Sequence, residues 1–286
     1  MKPAPECYAC FLKQTLLAAR LATKDEARHH TALQATLKLL SRMSRTQWGN
    51  NPPFIATNVF RNAYKALACS DPYLRVKNEY NRTVKRMYPE LERLMKSSPQ
   101  PIHTALKLAI AGNIIDFGIL EFIDLQGTLK QTLALSLPCK AVKEFSMKAS
   151  KARGILYIAD NAGEIGFDYF LIRELKKINP AVRIFLAVKK HPIINDATPT
   201  DAKYFKLERV AELTDTGGNW VGTHPRLCSP RFQKLFHDAD LIISKGQANW
   251  ESLEELRDPR ITFLLKAKCP VVAENLGVKL NGIIFR

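Results

Sequence analysis

Long apolar runs are absent: no stretch of the 286 residues approaches the ~20 consecutive apolar side chains of a membrane-spanning helix. The opening MKPAPECYACFLKQTLLAARLATKDEARHH is broken by prolines, Glu6 and Lys13, where a signal peptide needs an unbroken apolar core. A soluble, cytoplasmic protein without membrane contact is therefore expected. The six cysteines (Cys7, Cys10, Cys69, Cys139, Cys228, Cys269) lack disulfide-framework spacing, and thiols of a cytoplasmic chain stay reduced. Neither G-x-x-x-x-G-K-[ST], G-x-G-x-x-G nor G-x-S-x-G occurs, which removes support for a P-loop, a dinucleotide fingerprint and a serine-hydrolase elbow. The six histidines form no HExxH or H-x-H pair, and there is neither an internal repeat nor a low-complexity tract.

Acidic side chains are also scarce. Lys and Arg number 43 against 27 Asp and Glu, a formal charge of +16. Residues 1–150 contribute +11 of this and the remainder +5. Such a surface is either merely solvated or a field that attracts anions, nucleic acid and phosphorylated small molecules among them. Arg75–Lys96, with seven basic residues against three acids, motivates a nucleic-acid-binding alternative. No helix-turn-helix, zinc-finger or RNP signature supports it.

What is present is ordinary globular composition, 46% hydrophobic and 24% charged, divided into two territories. Residues 1–150 read as mainly helical: Cys7–Ala22, Lys24–Ser44, Phe54–Ala68 behind Pro52-Pro53, Leu74–Met95 with Pro89 expected to break or kink it, Pro101–Gly112 and Ile119–Leu135. Residues 151–286 carry short apolar runs at 154–159, 182–188, 209–213, 240–244, 261–265 and 270–273, several separated by helical segments. This is an α/β pattern, a helical N-terminal region packed on a mostly parallel, helix-covered C-terminal sheet.

In such sheets ligands gather at the carboxyl ends of the strands. Asp160-Asn161-Ala-Gly163-Glu164 follows the first run, and Lys189-Lys-His-Pro192-Ile-Ile-Asn195-Asp196-Ala-Thr198 the second. Asp215-Thr-Gly217-Gly218 follows the third and Lys245-Gly-Gln-Ala-Asn-Trp250 the fourth. Any one cluster is compatible with turn or cap chemistry alone. Four along one sheet edge suit a site. Asp160, Asn161 and Asp196 offer hard oxygen ligands for a divalent cation. Gly163 permits close backbone approach ahead of a helix N-terminus, Lys245 supplies a fixed positive charge, and amides near Gly217-Gly218 can add donors. Ala111–Gly118 places Asn113 and Asp116 among apolar residues, where an acid must be paired, hydrated or functional; a helix end at Gly112-Asn113 and a new cap at Asp116 explain it equally.

With Cys7-x-x-Cys10 and Ala111–Gly118, these clusters make six stretches in order that resemble the damage-control phosphatases. That family was long known as a domain of unknown function and includes the acidic-residue methyltransferase-like proteins. The Cys-x-x-Cys is similar to its stand-alone prokaryotic branch. The resemblance implies a phosphomonoester hydrolase for small phosphorylated metabolites, often sugar phosphates or damaged forms of them. It implies a divalent metal ion (Mg, Mn, Co or Ni) on Asp160, Asn161 and Asp196, and Lys245 on phosphate. Asn113 and Asp116 would reach the same pocket. A non-catalytic metabolite-binding protein with the same metal site is the remaining alternative. Cys7 and Cys10 are read as buried structural thiols, with a redox or auxiliary metal role as the other possibility. Whether water or a carboxylate attacks, and whether Asp160 and Asp196 serve as ligands or bases, stays open at this point.

Overall fold

The computed structural model describes residues 1–43, 51–114 and 125–286. Asp116 and residues 119–124 of the expected Ile119–Leu135 helix lie outside the described residues.

Among the described residues seven helices precede the first strand: α1 (Glu6–Ala22), α2 (Glu26–Ser41), α3 (Pro52–Leu67), α4 (Leu74–Ser97), α5 (Pro101–Ile114), α6 (Leu125–Ala134) and α7 (Cys139–Lys151). Local chemistry sets their starts. The Asp25 side chain caps α2 by accepting from the Ala27 amide. At α3, Asn51 accepts from the Phe54 amide, with Pro52 and Pro53 in the first turn. In α4 the buried Val76, Tyr80, Val84, Leu91 and Met95 recur at helical spacing. Pro89, expected to break or kink this helix, does not end it: α4 runs through it. Pro89 itself is exposed. Tyr88 beside it is anchored by stacking on Phe205 and by donating to the Gly166 carbonyl.

The remaining elements alternate: β1 (Gly154–Ile158), α8 (Glu164–Ile178), β2 (Arg183–Val188), α9 (Pro199–Tyr204), β3 (Glu212–Asp215), α10 (Pro230–Asp238), β4 (Leu241–Lys245), α11 (Gln247–Leu253), β5 (Ile261–Lys266), α12 (Pro270–Leu276) and β6 (Ile283–Phe285). The sheet order is β3-β2-β1-β4-β5-β6, parallel except for the β5–β6 pair. Two strand assignments are corrected. The run 270–273 is helical, because Pro270 opens it, Cys269 accepts at its cap and Gly277 closes it in the left-handed region. The third strand begins at Glu212, since Leu207–Arg209 is spent on a single tight turn.

Alternation along each strand splits the core in two. Ile155, Tyr157, Ile184, Leu186, Leu241 and Ile243 face a cluster built with α4, α5, α7 and α8. Leu156, Ile158, Ala187 and Ile242 face the side of α10, α11 and α12. By the same period Lys245 follows Leu241 and Ile243 onto the α5/α8 side. No helix among the described residues is long and apolar enough to cross a membrane.

Helix α8 is held closely from two sides. A Cβ on Gly166 would meet Phe205 at 2.6 Å and Val84 at 2.7 Å, and one on Gly112 of α5 would meet Glu164 Cγ at 3.0 Å. Gly166→Val should therefore lose about 1–3 kcal/mol of stability by overpacking, seen as a lower urea midpoint with unchanged m-value. An unchanged midpoint would show that α4 and α8 are not so tightly apposed.

Candidate active site

The strand order reverses between β1 and β4, the place where a doubly wound sheet opens a crevice. The segment after β1 enters it and is tied by backbone bonds to the segment after β2. Asn161 and Asp196 form an antiparallel bridge. The Ala197 amide donates to the Asp160 carbonyl at 2.8 Å, and the Ala162 amide to the Asn195 carbonyl at 2.9 Å. This small ladder holds Asp160, Asn161 and Asp196 together although 35 residues separate Asn161 from Asp196. Beyond it, Thr198 donates through its amide and hydroxyl to Asp201 Oδ2, and Asn81 of α4 donates to Oδ1 at 2.7 Å.

The side chains then form a continuous polar network below the ladder. Asn113 of α5 donates through Nδ2 to Asp160 Oδ2 at 2.8 Å and to Glu164 Oε2 at 3.0 Å. Its Oδ1 accepts from the Lys266 amide. Asn161 Nδ2 reaches the same two acids at 2.8 and 3.0 Å, so the oxygen of this amide is its available acceptor for a cation. Behind them Lys245 donates to Glu164 Oε1 and Asp168 Oδ1, each at 2.6 Å, and to the Ala109 carbonyl at 2.9 Å. Tyr157 completes the group by donating to Asp168 Oδ1 at 2.7 Å. Lys245, Glu164 and Asp168 are wholly buried.

The expected residues are thus placed unevenly. Asp160, Asn161, Asp196, Asn113, Glu164 and Lys245 come together. Lys245 does not stand as a phosphate clamp, because all three ammonium hydrogens are engaged inside the protein. Gly163 (φ +74°) does let something approach, but the neighbour is Tyr80, whose ring would lie 1.9 Å from an added Cβ. Gly217 serves its own turn, its amide donating to Asp215 Oδ1 at 2.8 Å, and neither it nor Gly218 has a contact to this network. Asp116 lies outside the described residues. Cys10 is exposed and Cys7 half-buried, correcting the expectation of two buried thiols. The buried face of α1 runs through Phe11, Thr15 and Ala18, with Cys7 at its edge and Cys10 beyond it.

Asp168 was not foreseen, and Lys189 and Gly246 stood in the strand-end clusters without a role of their own. Asp168 lies one turn after Glu164 on α8, a spacing that puts both acids on one helix face. Lys189 sits 3.6 Å from Asp196 and donates to the Gly222 carbonyl. Gly246 (φ +82°) directly follows Lys245, and a Cβ there would lie 1.9 Å from Asp160 Oδ2.

The electrostatics suit a cation. Burial pushes the Asp160 carboxyl well above its ordinary range, the charges of Glu164 and Asp196 push it further, and Lys268 and Lys245 oppose the rise. Burial also raises Asp196, to about 6, against Lys189 and Lys77. No three His, Cys, Asp or Glu side chains among the described residues form a cage of their own. A metal here would rest on two aspartates and the Asn161 amide, with oxygens from outside the protein completing it. That hard-oxygen, crowded-acid set fits a divalent cation. For Lys245 burial opposes the charged form, but Asp168 and Glu164 overcome it and the ammonium is held protonated.

The sequence of the damage-control phosphatase ARMT1-like domain matches residues 4–284 of this chain. A damage-control phosphatase of Pyrococcus horikoshii is 36% identical, over 99% of this chain and 97% of its own length. A damage-control phosphatase of Archaeoglobus fulgidus is 31% identical over 100% and 99%. The crystal structure of a DUF89 family protein from P. horikoshii superposes with a TM-score of 0.91 at 34% identity, covering 100% of this chain and 98% of that one.

Two outcomes follow from the buried network. Lys245→Met leaves Glu164 and Asp168 without their cation, so stability should fall by about 3–5 kcal/mol in chemical denaturation without any ligand. A full-stability variant would refute the structural role of Lys245. The second concerns pH. Asp168 is raised to about 6, chiefly by burial, and Asp196 likewise, from an unfolded value near 3.8. Between these values the native state binds protons that the unfolded chain has released, so stability falls as pH rises through about 4 to 6. Metal-free protein should have a lower urea midpoint at about pH 7.5 than at about pH 5, and added Mg or Mn should raise it most at the higher pH. A midpoint that climbs across this window without metal would contradict the assignment.

Proposed function

Because the chain belongs to the damage-control phosphatase ARMT1-like family, we propose that it is a metal-dependent phosphatase of small phosphometabolites, sugar phosphates or damaged forms of them. The observation that carries this reading is the backbone bridge between Asn161 and Asp196, which brings the strand-end segments bearing Asp160 and Asp196 side by side at the switch point of the sheet. Asp160, Asn161 and Asp196 would hold Mg, Mn, Co or Ni, and such a cation when bound supplies Lewis acidity to the phosphoryl oxygens. The protein's own part is to orient and to offset charge. Asn113 and Asn161 fix Asp160 through Oδ2, Glu164 steadies both amides, and the positive end of the α8 dipole faces the Asp160–Gly163 segment. The excess of basic residues, +16 overall, raises the local concentration of anionic esters around this site.

A panel of phosphomonoesters assayed with Mg, Mn, Co and Ni tests the reading. Phosphate release should require one of these metals, cease with chelator, and fall with metal affinity in Asp160→Asn and Asp196→Asn. If no ester yields phosphate with any of the four metals, the phosphatase reading is wrong.

A further inference from the structure

The segment that brings Asp196 to the site contains a backbone conformation that its residue does not favour. Ile193 to Asp196 is a tight turn, closed by the Asp196 amide donating to the Ile193 carbonyl at 3.1 Å. Its first central residue, Ile194, has φ +39°, whereas Asn195 is not at positive φ. A turn with positive φ at the first central position alone is of the II′ kind and ordinarily takes glycine there. A β-branched residue meets steric opposition at such a φ. The other described non-glycine residues at positive φ are Ala68, Lys206, Arg257 and Asn281. The first three flank helix ends or helical turns, and none of the four is β-branched.

What holds the turn comes from α3. The Ile194 amide donates to the Tyr64 hydroxyl at 3.0 Å, across 130 residues of sequence. Tyr64 is buried, and the wholly buried Ile193 belongs to the same apolar cluster, with Phe60 and Val221; Ile194 packs against it. On its other side the turn is part of the strand-end ladder. The Ala162 amide donates to the Asn195 carbonyl, and Asp196 bridges Asn161. One short turn is therefore gripped by the helical layer at its start and by the ladder at its end, and the candidate ligand Asp196 closes it. Strained backbone persists only where its surroundings over-determine it, and it collects at ligand clamps.

Resting on the metal-dependent reading above, we infer that Tyr64 is a positioning residue: its hydroxyl holds Ile194 in the left-handed region so that the Asp196 carboxylate meets the cation. Without that bond Ile194 relaxes toward negative φ, the bond between Asp196 and Ile193 opens, and Asp196 leaves the register it shares with Asn161. Apparent metal affinity then falls with the fraction of molecules whose turn is correctly set. Tyr64 acts through the backbone of the turn and not as a ligand.

Metal-free, full-length wild type, Tyr64→Phe, Ile194→Gly and the double variant should be titrated with Mn by calorimetry, alongside thermal midpoints and hydrogen exchange of the Asp196 amide. Tyr64→Phe should bind Mn about threefold to tenfold more weakly, as loss of one uncharged hydrogen bond implies, and its Asp196 amide should exchange faster. Glycine takes positive φ without steric cost, so Ile194→Gly should stay within about threefold of wild-type Mn affinity. On that background Tyr64→Phe should weaken Mn binding by less than about twofold, because no strain remains for the hydroxyl to oppose. This non-additivity separates positioning from packing. A tyrosine that merely fills space would lower the thermal midpoint equally in both backgrounds and leave Mn affinity alone. An equal loss of Mn affinity in both backgrounds, or unchanged Mn affinity and Asp196 exchange in Tyr64→Phe, would overturn the inference. Wild-type protein that binds Mn but releases phosphate from no ester would instead strike the phosphatase reading and leave the comparison of variants legible.

Discussion

A lysine ammonium sealed between two carboxylates is the interaction on which the rest of this site depends. Taking Lys245, Glu164 and Asp168 out of water costs several kcal/mol per ion, and only dense mutual bonding offsets it. Strand β4 delivers the ammonium by its period of two, and α8 delivers both acids from successive turns. With Lys245 filling one side of Glu164, the other side is open to Asn113 and Asn161. Those two amides turn to Asp160, and the backbone ladder ties Asp160 to the segment bearing Asp196. Each step fixes the next, from a buried charge outward to a rim of oxygens.

Much of this was legible in the sequence, and what was not has definite causes. Alternating apolar runs and helical stretches identify the α/β layering because burial on both faces of a parallel sheet demands such runs. The strand-end acids stand out because polar residues abruptly end them. The run Pro-Val-Val-Ala at 270–273 misleads because β-branched residues read as strand, whereas capping by Cys269 and closure at Gly277 decide for helix. Pro89 does not end α4 because buried side chains anchor the helix on both sides of it, Val84 before and Leu91 after. Lys245 is found by position but misjudged in role. Whether a lysine at a strand end faces ligand or core depends on which helices cover that face, and this is a tertiary fact. Asp168 is missed for a related reason: inside an amphipathic helix an acid reads as solvated until a partner is known.

The basic composition has two different meanings within one crevice. Lys245, Lys189 and Lys77 are consumed by internal acceptors and contribute to architecture. A cation at the rim meets water and whatever anion enters. Counting charge along the chain cannot separate these, whereas counting the hydrogens each ammonium has already given can. That count is the simplest physical criterion by which a structural lysine in a polar crevice differs from a ligand-facing one.

The dependence of Lys245 on the Ala109 carbonyl and of Asp160 on Asn113 also bears on how the molecule can be assembled. Both acceptor and donor come from α5, while the charges they serve belong to the sheet and α8. A polypeptide consisting of residues 151–286 alone would leave one of the three Lys245 ammonium bonds unmade and an acid pair without the Asn113 amide. The helices by themselves would carry an amide with no carboxylate to meet. Rearranging the gene by circular permutation would preserve these contacts wherever the new ends fall on exposed turns, whereas severing the chain after α7 makes the sheet-bearing half a client of its own amino-terminal helices.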